Sequence, residues 1–268
     1  MDGEVFAVKG RAKAFDMDIR EFAVEAIEEL IAWHTVGIVG DSGNGPGTGI
    51  GTGTAISWCE HTGFLTAKHV VEKIRRADLC FFFRAPGDLV RAHLGDPNPL
   101  SAGMFAKARV EVSSILFSET HDLAILMVPR HIDEQHSVRF FELDTTATTP
   151  PPGTTIAFSG FPAALAERVP AGGLAAFRSV AYQQILDQPT FNDFDPRDNF
   201  AASYTFGQPP VDPGGFSGAA AWFDAGTEEQ FWRASLGFSG VLTAYHRKKG
   251  IVEGVRAEAV RSFLASVI

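Results

Sequence analysis

The stretch Gly214-Gly215-Phe216-Ser217-Gly218-Ala219-Ala220 sets a serine among glycines, and its reading decides the fold once two upstream residues are placed beside it. His69 lies in Leu65-Thr66-Ala67-Lys68-His69-Val70-Val71, and Asp122 lies in His121-Asp122-Leu123-Ala124-Ile125-Leu126. A serine hydroxyl is a poor nucleophile at neutral pH unless a base takes its proton during attack, and histidine titrates in the right range to be that base. A carboxylate on the far ring nitrogen then fixes the imidazole tautomer and stabilises the imidazolium. The chain order His, Asp, Ser discriminates between folds, because other folds that carry the same trio place it in other orders.

The glycines have their own role. A small residue two positions before the serine lets the backbone turn sharply, so the N–H groups of Gly215 and Ser217 are expected to point at one spot and form an oxyanion hole. Gly218 and Ala219 are expected to leave room for substrate backbone beside the hydroxyl. The α/β-hydrolase elbow, Gly-Xaa-Ser-Xaa-Gly, is excluded because Gly218 and then Ala219 follow Ser217.

On these segments the chain resembles the chymotrypsin-fold (trypsin-like) serine proteases, and among them the intracellular or bacterial trypsin-like peptidases more than the digestive branch. Gly51-Thr52-Gly53-Thr54-Ala55-Ile56 followed by Gly63-Phe64-Leu65-Thr66-Ala67 looks like the family's strand pair leading into the histidine. Asp122 to Leu126 looks like its aspartate strand, and Leu236-Gly237-Phe238-Ser239-Gly240 looks like the strand that lines the specificity pocket. The likeness implies an all-β protein of two six-stranded antiparallel Greek-key barrels, with the site in the cleft between them. It implies a serine endopeptidase acting on a protein or peptide substrate through His69, Asp122 and Ser217. The substrate-binding residues it implies are Val211, Asp212, Gly237, Phe238, Ser239 and Gly240.

The departures matter as much. Digestive members carry an aspartate just before the nucleophile to receive a newly cleaved N-terminus, and Phe216 stands there. The hole is therefore expected to be shaped by packing, by a regulatory partner or by substrate. Ala219, where the family more often has a second glycine, is expected to narrow the approach. Val211 stands where a basic specificity would want an aspartate, so a small or apolar P1 side chain is expected; Asp212, one place on, keeps a Lys or Arg preference open. A catalytically silent or partner-activated binding protein of the same fold is the alternative reading.

Composition fits this picture. The chain has 268 residues, 45% of them hydrophobic, which suits two small cores. A net charge of −9 and the lack of any basic run beyond Arg247-Lys248-Lys249 argue against a nucleic-acid surface. Met1-Asp2-Gly3-Glu4 opens without a basic or apolar leader, and no long uncharged apolar stretch follows, so a cytoplasmic protein with no membrane partner is expected. Cys59 and Cys80 bracket His69 at a spacing unlike the family disulfide and are expected to be reduced. The histidines lack metal-ligand spacing, and Gly43 to Gly53 lacks a phosphate-loop register, so neither metal nor nucleotide cofactor is expected.

The period-3.6 pattern predicts a helix over Asp18 to Trp33, with Ile19, Phe22, Ala23, Ala26, Ile27 and Leu30 on one stripe, packed on a barrel exterior or against a partner. Strands are expected over Thr35–Val39, Thr52–Trp58, Gly63–Ala67, Leu79–Phe83, Ala108–Leu116 and Leu123–Val128. After a Pro- and Thr-rich connector, Asp144 to Gly153, strands are expected over Thr155–Phe158, Leu174–Tyr182, Ala201–Phe206, Ala219–Phe223, Arg233–Phe238 and Gly250–Val255, then a helix over Ala257–Val267. The implied organisation is an N-terminal extension and helix over 1–33, a first barrel over 34–145, and a second barrel with the closing helix over 146–268. The acidic insertion Asp187 to Asn199 is expected at the rim.

Overall fold

The structure, a computed structural model, describes residues 19–41, 48–72, 74–84, 105–163, 167–169, 173–175, 178–187, 189, 191, 194–204, 212–226 and 235–267. A helix, α1 (Ile19–His34), opens the described chain. The first sheet follows with β1 (Thr35–Gly40), β2 (Thr48–Trp58), β3 (His61–Thr66), a single turn α2 (Lys68–Val71), β4 (Leu79–Arg84), β5 (Phe105–Ala108), β6 (Ser114–Phe117), β7 (Ala124–Met127), α3 (Ile132–Gln135) and β8 (Phe141–Glu142). The rest comprises β9 (Thr155–Gly160), a small hairpin of β10 (Glu167–Val169) and β11 (Gly173–Ala175), then β12 (Ser179–Gln184), β13 (Asn199–Ser203), β14 (Ala220–Asp224), β15 (Leu236–His246), β16 (Ile251–Arg256) and α4 (Ala257–Ser266).

The second sheet has the expected six strands, in the order β12-β9-β14-β15-β16-β13, and every pairing is antiparallel. A bridge between Ile185 and Ala202, with Leu186 N–H donating to Ala201 O at 2.8 Å, brings its two ends together and closes the barrel. The first sheet departs from six strands. It runs β5-β4-β1-β2-β3-β7-β6, with β8 added in parallel to β2 for eight in all. Among the described residues no ladder joins β5 to β6, so this sheet is a half-barrel.

Two expected strands are each broken in the structure. Ala108–Leu116 becomes β5 and β6, because residues 109–113 alternate in and out but have no ladder partner. Leu174–Tyr182 becomes β11 and β12, which belong to different sheets. Alternation fixes which face a residue shows, whereas pairing depends on a neighbour elsewhere in the chain.

β2 shows how the period of two positions the site. Ala55 faces the interior of the first sheet, while Ile56 and Trp58 join a core shared with Trp222 and Phe238 of the second sheet and with α4. Thr52 and Thr54 lie on that second-sheet-facing side. A separate core of Ile156, Phe158, Phe200, Tyr204 and Phe216 fills the second barrel.

α1 spans both sheets instead of lying on one barrel. Its Glu29 pairs with Arg84 of β4, and its Glu28 accepts from the Tyr182 hydroxyl of β12 at 3.2 Å. Its buried stripe centres on Ile31 and Ala32, with Ile27 packed beside them; Val24 is exposed. The side chains of Ile19, Phe22 and Ala23 lie outside the described residues. The connector is fixed by Thr149, whose hydroxyl donates to Ser239 O at 2.7 Å and accepts from Ala257 N–H at 3.0 Å, capping α4 from outside the helix.

Candidate active site

His69 sits in α2, directly after β3, and Asp122 sits in the tight turn between β6 and β7. That turn is shaped by Ser118, whose hydroxyl accepts the N–H groups of Thr120 and His121 at 3.3 and 3.1 Å. The carboxylate then grips His69 twice: Nδ1–H donates to Oδ2 at 2.6 Å and the backbone N–H donates to Oδ1 at 3.0 Å. An ionised carboxylate only accepts, so the Nδ1 proton is fixed and Nε2 is left as the basic nitrogen. Burial alone would raise the Asp122 pKa, but the hydrogen bonds from the His69 side chain and from the backbone of His69 and Lys68 outweigh it and hold the carboxyl below its ordinary range.

Ser217 arrives from the second sheet on a loop docked against the first. Thr52 N–H donates to Ser217 O at 2.9 Å. A Cβ on Gly218 would lie 2.0 Å from Thr52 O, 2.1 Å from Thr66 Oγ1 and 2.9 Å from Ala67 N, so only glycine fits there, and its φ of +89° repeats the requirement. Ala67 is two residues from His69, and this contact brings the serine and histidine segments together. The room left by Gly218 is thus taken by the first sheet, not by substrate. Ala219 is fully buried in the second-barrel core, so it does not narrow the approach to the site as expected. Among the described residues no hydrogen bond joins Ser217 Oγ to His69 Nε2.

The backbone donors around Ser217 are spent selectively. Gly214 N–H donates to Asp212 Oδ1 at 2.8 Å, Phe216 N–H to Pro213 O at 2.9 Å, Gly218 N–H to Leu242 O at 2.7 Å and Ala219 N–H to Phe216 O at 2.9 Å. The N–H groups of Gly215 and Ser217 have no acceptor among the described residues. Gly215, with φ +101° at the third place of the Pro213–Phe216 turn, has the type II signature, and a Cβ there would fall 2.1 Å from Phe161 O. Two unspent donors flanking a serine are what an anionic oxygen needs.

Phe216 is 2% exposed and meets Phe158 edge-on at 5.3 Å, so packing anchors the loop at the position where the resembled family uses a carboxylate.

The expected specificity strand needs correction. Phe238 is buried between Trp222 and Phe141, Ser239 is fully buried with its carbonyl committed to Thr149, and Gly237 accommodates the Phe223 ring. Gly240, at φ +144°, lets Val255 O approach to 2.0 Å from where its Cβ would be. Phe238, Ser239 and Gly240 are interior, and Gly237 is half-buried. The part of β15 beside Ser217 is set by Gly218 N–H to Leu242 O and Leu242 N–H to Ala219 O, so the residues that emerge there are Thr243, Ala244 and Tyr245. The β15–β16 register shifts between Leu242 and Ala244, which a repeating pattern in sequence does not reveal. Asp212 is exposed and spends one oxygen on the loop, and Val211 lies outside the described residues.

In the acidic insertion, Phe191 stacks on His246 with ring centroids 4.1 Å apart and meets Phe194 at 4.9 Å, so it packs on the end of β15. Cys59 is exposed at the β2–β3 turn and Cys80 is buried, both as free thiols. Among the described residues no cluster of His, Cys, Asp and Glu forms a metal site, and no helix is long and apolar enough to cross a membrane.

No family model matches the chain, and no curated protein matches it in sequence. Solved structures do match. An inactivated protease paralogue of the scabies mite aligns with a TM-score of 0.56 at 13% identity, covering 90% of this chain and 93% of that one. A protease of M. tuberculosis in its active form aligns with a TM-score of 0.53 at 17% identity, covering 99% of this chain and 93% of that one. At such identities the likeness shows the fold: two antiparallel sheets and a closing helix in the chymotrypsin-like arrangement.

Proposed function

We propose that this chain, which has the chymotrypsin-like protease fold, is a serine endopeptidase that works through an acyl-enzyme. The observation that carries the reading is the double grip of Asp122 on His69, at 2.6 and 3.0 Å, beside a nucleophile loop docked two residues from that histidine. Ser217 Oγ attacks the peptide carbonyl while His69 Nε2 takes its proton, and the resulting imidazolium is stabilised by Asp122. The tetrahedral oxyanion is received by the N–H groups of Gly215 and Ser217. His69 then protonates the leaving amine as the C–N bond breaks. Water repeats the sequence on the acyl ester, releasing the acid and restoring Ser217.

Thr243, Ala244 and Tyr245 offer the extended edge along which substrate backbone pairs. P1 is proposed to be small or apolar, since Val211 occupies the position that resemblance assigns to the pocket base and Asp212 is engaged with Gly214. A cleavage profile over a peptide library dominated by Lys or Arg at P1 would overturn that preference. The site is proposed to need neither metal nor cofactor, and the protein is proposed to be cytoplasmic.

Ser217→Ala should retain the fold by circular dichroism and lose peptide hydrolysis down to background. Hydrolysis persisting in that variant contradicts the assignment. A catalytically silent binding protein is the second reading, favoured by the absent Ser217–His69 hydrogen bond and by the inactivated paralogue among similar structures. Such bonds are often long before substrate binds. A wild-type protein that binds a casein-derived peptide mixture without cleaving any member would support the second reading against the first.

A further inference from the structure

Thr52 belongs to the first sheet, yet its polar atoms serve the second. It is fully buried. Its N–H donates to Ser217 O at 2.9 Å, its hydroxyl donates to Gly215 O at 2.6 Å, and the same oxygen accepts the N–H of Phe161 at 3.2 Å. Its own carbonyl accepts from the Thr66 hydroxyl at 2.6 Å, three residues before His69. One side chain and its backbone thus tie together β2, the approach to His69, the end of β9 and both residues whose N–H groups are unspent.

The second sheet is built around that hydroxyl. A Cβ on Gly160 would lie 2.6 Å from Thr52 Oγ1 and 2.8 Å from the Phe216 ring, so the glycine clears the space in which the three meet. Thr54, two residues on and on the same face of β2, repeats the device by accepting Ala220 N–H at 3.0 Å. At zero exposure water has no access to replace these bonds, so deleting the hydroxyl leaves Gly215 O without its donor.

We infer that Thr52 is a positioning residue: its hydroxyl holds the Gly215 turn in the conformation that leaves the Gly215 and Ser217 donors free for the oxyanion. The loop is then preset by the neighbouring sheet and by Phe216, with no carboxylate to receive a cleaved N-terminus. The inference rests on the serine-endopeptidase reading.

The test compares Thr52→Val, which keeps the shape and loses the hydroxyl, with Thr52→Ser, which keeps the hydroxyl. Steady-state kinetics on a cleaved peptide and backbone amide exchange over Gly214 to Ala219 are read in both, alongside circular dichroism. Thr52→Val should lower kcat at least about tenfold with KM within about twofold, and should speed exchange in the loop; Thr52→Ser should stay within about threefold of wild type in kcat. A Thr52→Val enzyme with unchanged kcat, or with a change confined to KM, overturns the inference. So does a Thr52→Ser enzyme as impaired as Thr52→Val. Should the wild type cleave nothing, the endopeptidase reading fails on its own, and exchange still decides the latch: an unchanged rate in Thr52→Val overturns it.

Discussion

At the scale of single residues, the account depends on which groups are committed and which are left open. Asp122 spends both oxygens on His69, so Asp122→Asn places an amide where Nδ1–H needs an acceptor and permits the wrong tautomer. A loss in kcat on the order of 10⁴ with little change in KM is expected from steady-state assays. The same carboxyl sits below its ordinary range in the fold, so the unfolded chain binds its proton first as pH falls. Its contribution to stability is therefore complete above the ordinary carboxylate value of about 3.9 and is lost as pH drops through the lower folded value. Denaturant titrations of wild type and Asp122→Asn between neutral and acid pH should converge at the acid end. Phe216 makes the opposite commitment. Phe216→Ala removes a ring buried against Phe158 and should cost about 3–5 kcal/mol by urea unfolding. His69, Asp122, Ser217 and Gly215 were legible in the sequence as candidates, because the proposed chemistry requires particular residue types in a particular order. Thr52 was not, since a threonine between glycines carries no sign of the backbone atoms that will reach it from a distant strand.

At the scale of elements, hydrophobic alternation marked most strands but not their partners. It read Ala108–Leu116 and Leu174–Tyr182 as single strands, while the resemblance to the family assigned the substrate edge to Gly237–Gly240. β15 runs eleven residues to His246, and its shift of register after Leu242 decides which residues lie beside Ser217. The helix α1 was legible as a helix, but its docking was not, because Glu28 and Glu29 find their partners on two different sheets. The end of α1 carries a pH dependence. His34 donates from Nδ1 to Arg139 O at 2.7 Å and stands among Phe141 and Trp222, with Arg84 and Arg139 flanking the adjacent Trp33. Burial is the main cause that lowers its pKa, helped by the Arg139 charge, and the Arg139 carbonyl opposes it. The unfolded chain thus takes up a proton near pH 6.5 that the folded chain resists, so the stabilisation is present above that pH and lost as pH falls below it. His136, stacked on Phe83, is lowered by burial too and acts in the same direction. The melting temperature should fall between pH 7.5 and 5.5, and His34→Phe should reduce that fall; a fall of equal size in the variant contradicts the assignment to His34.

At the scale of the whole molecule, the candidate site lies where the two sheets meet, with Thr52 N–H donating to Ser217 O at 2.9 Å. Gly218→Ala would drive a methyl into Thr52 O and Thr66 Oγ1 at a φ that disfavours alanine. Labelling of Ser217 should be lost or slowed by at least about tenfold in that variant while each sheet keeps its secondary structure by circular dichroism. The central claim, that this fold presents an activated serine, is tested most directly by incubating the wild-type protein with a fluorophosphonate and mapping the adduct by peptide mass spectrometry. The account predicts one adduct, on Ser217, absent from His69→Ala. A wild-type protein that stays unlabelled, or one labelled at Ser217 equally well without His69, would contradict it.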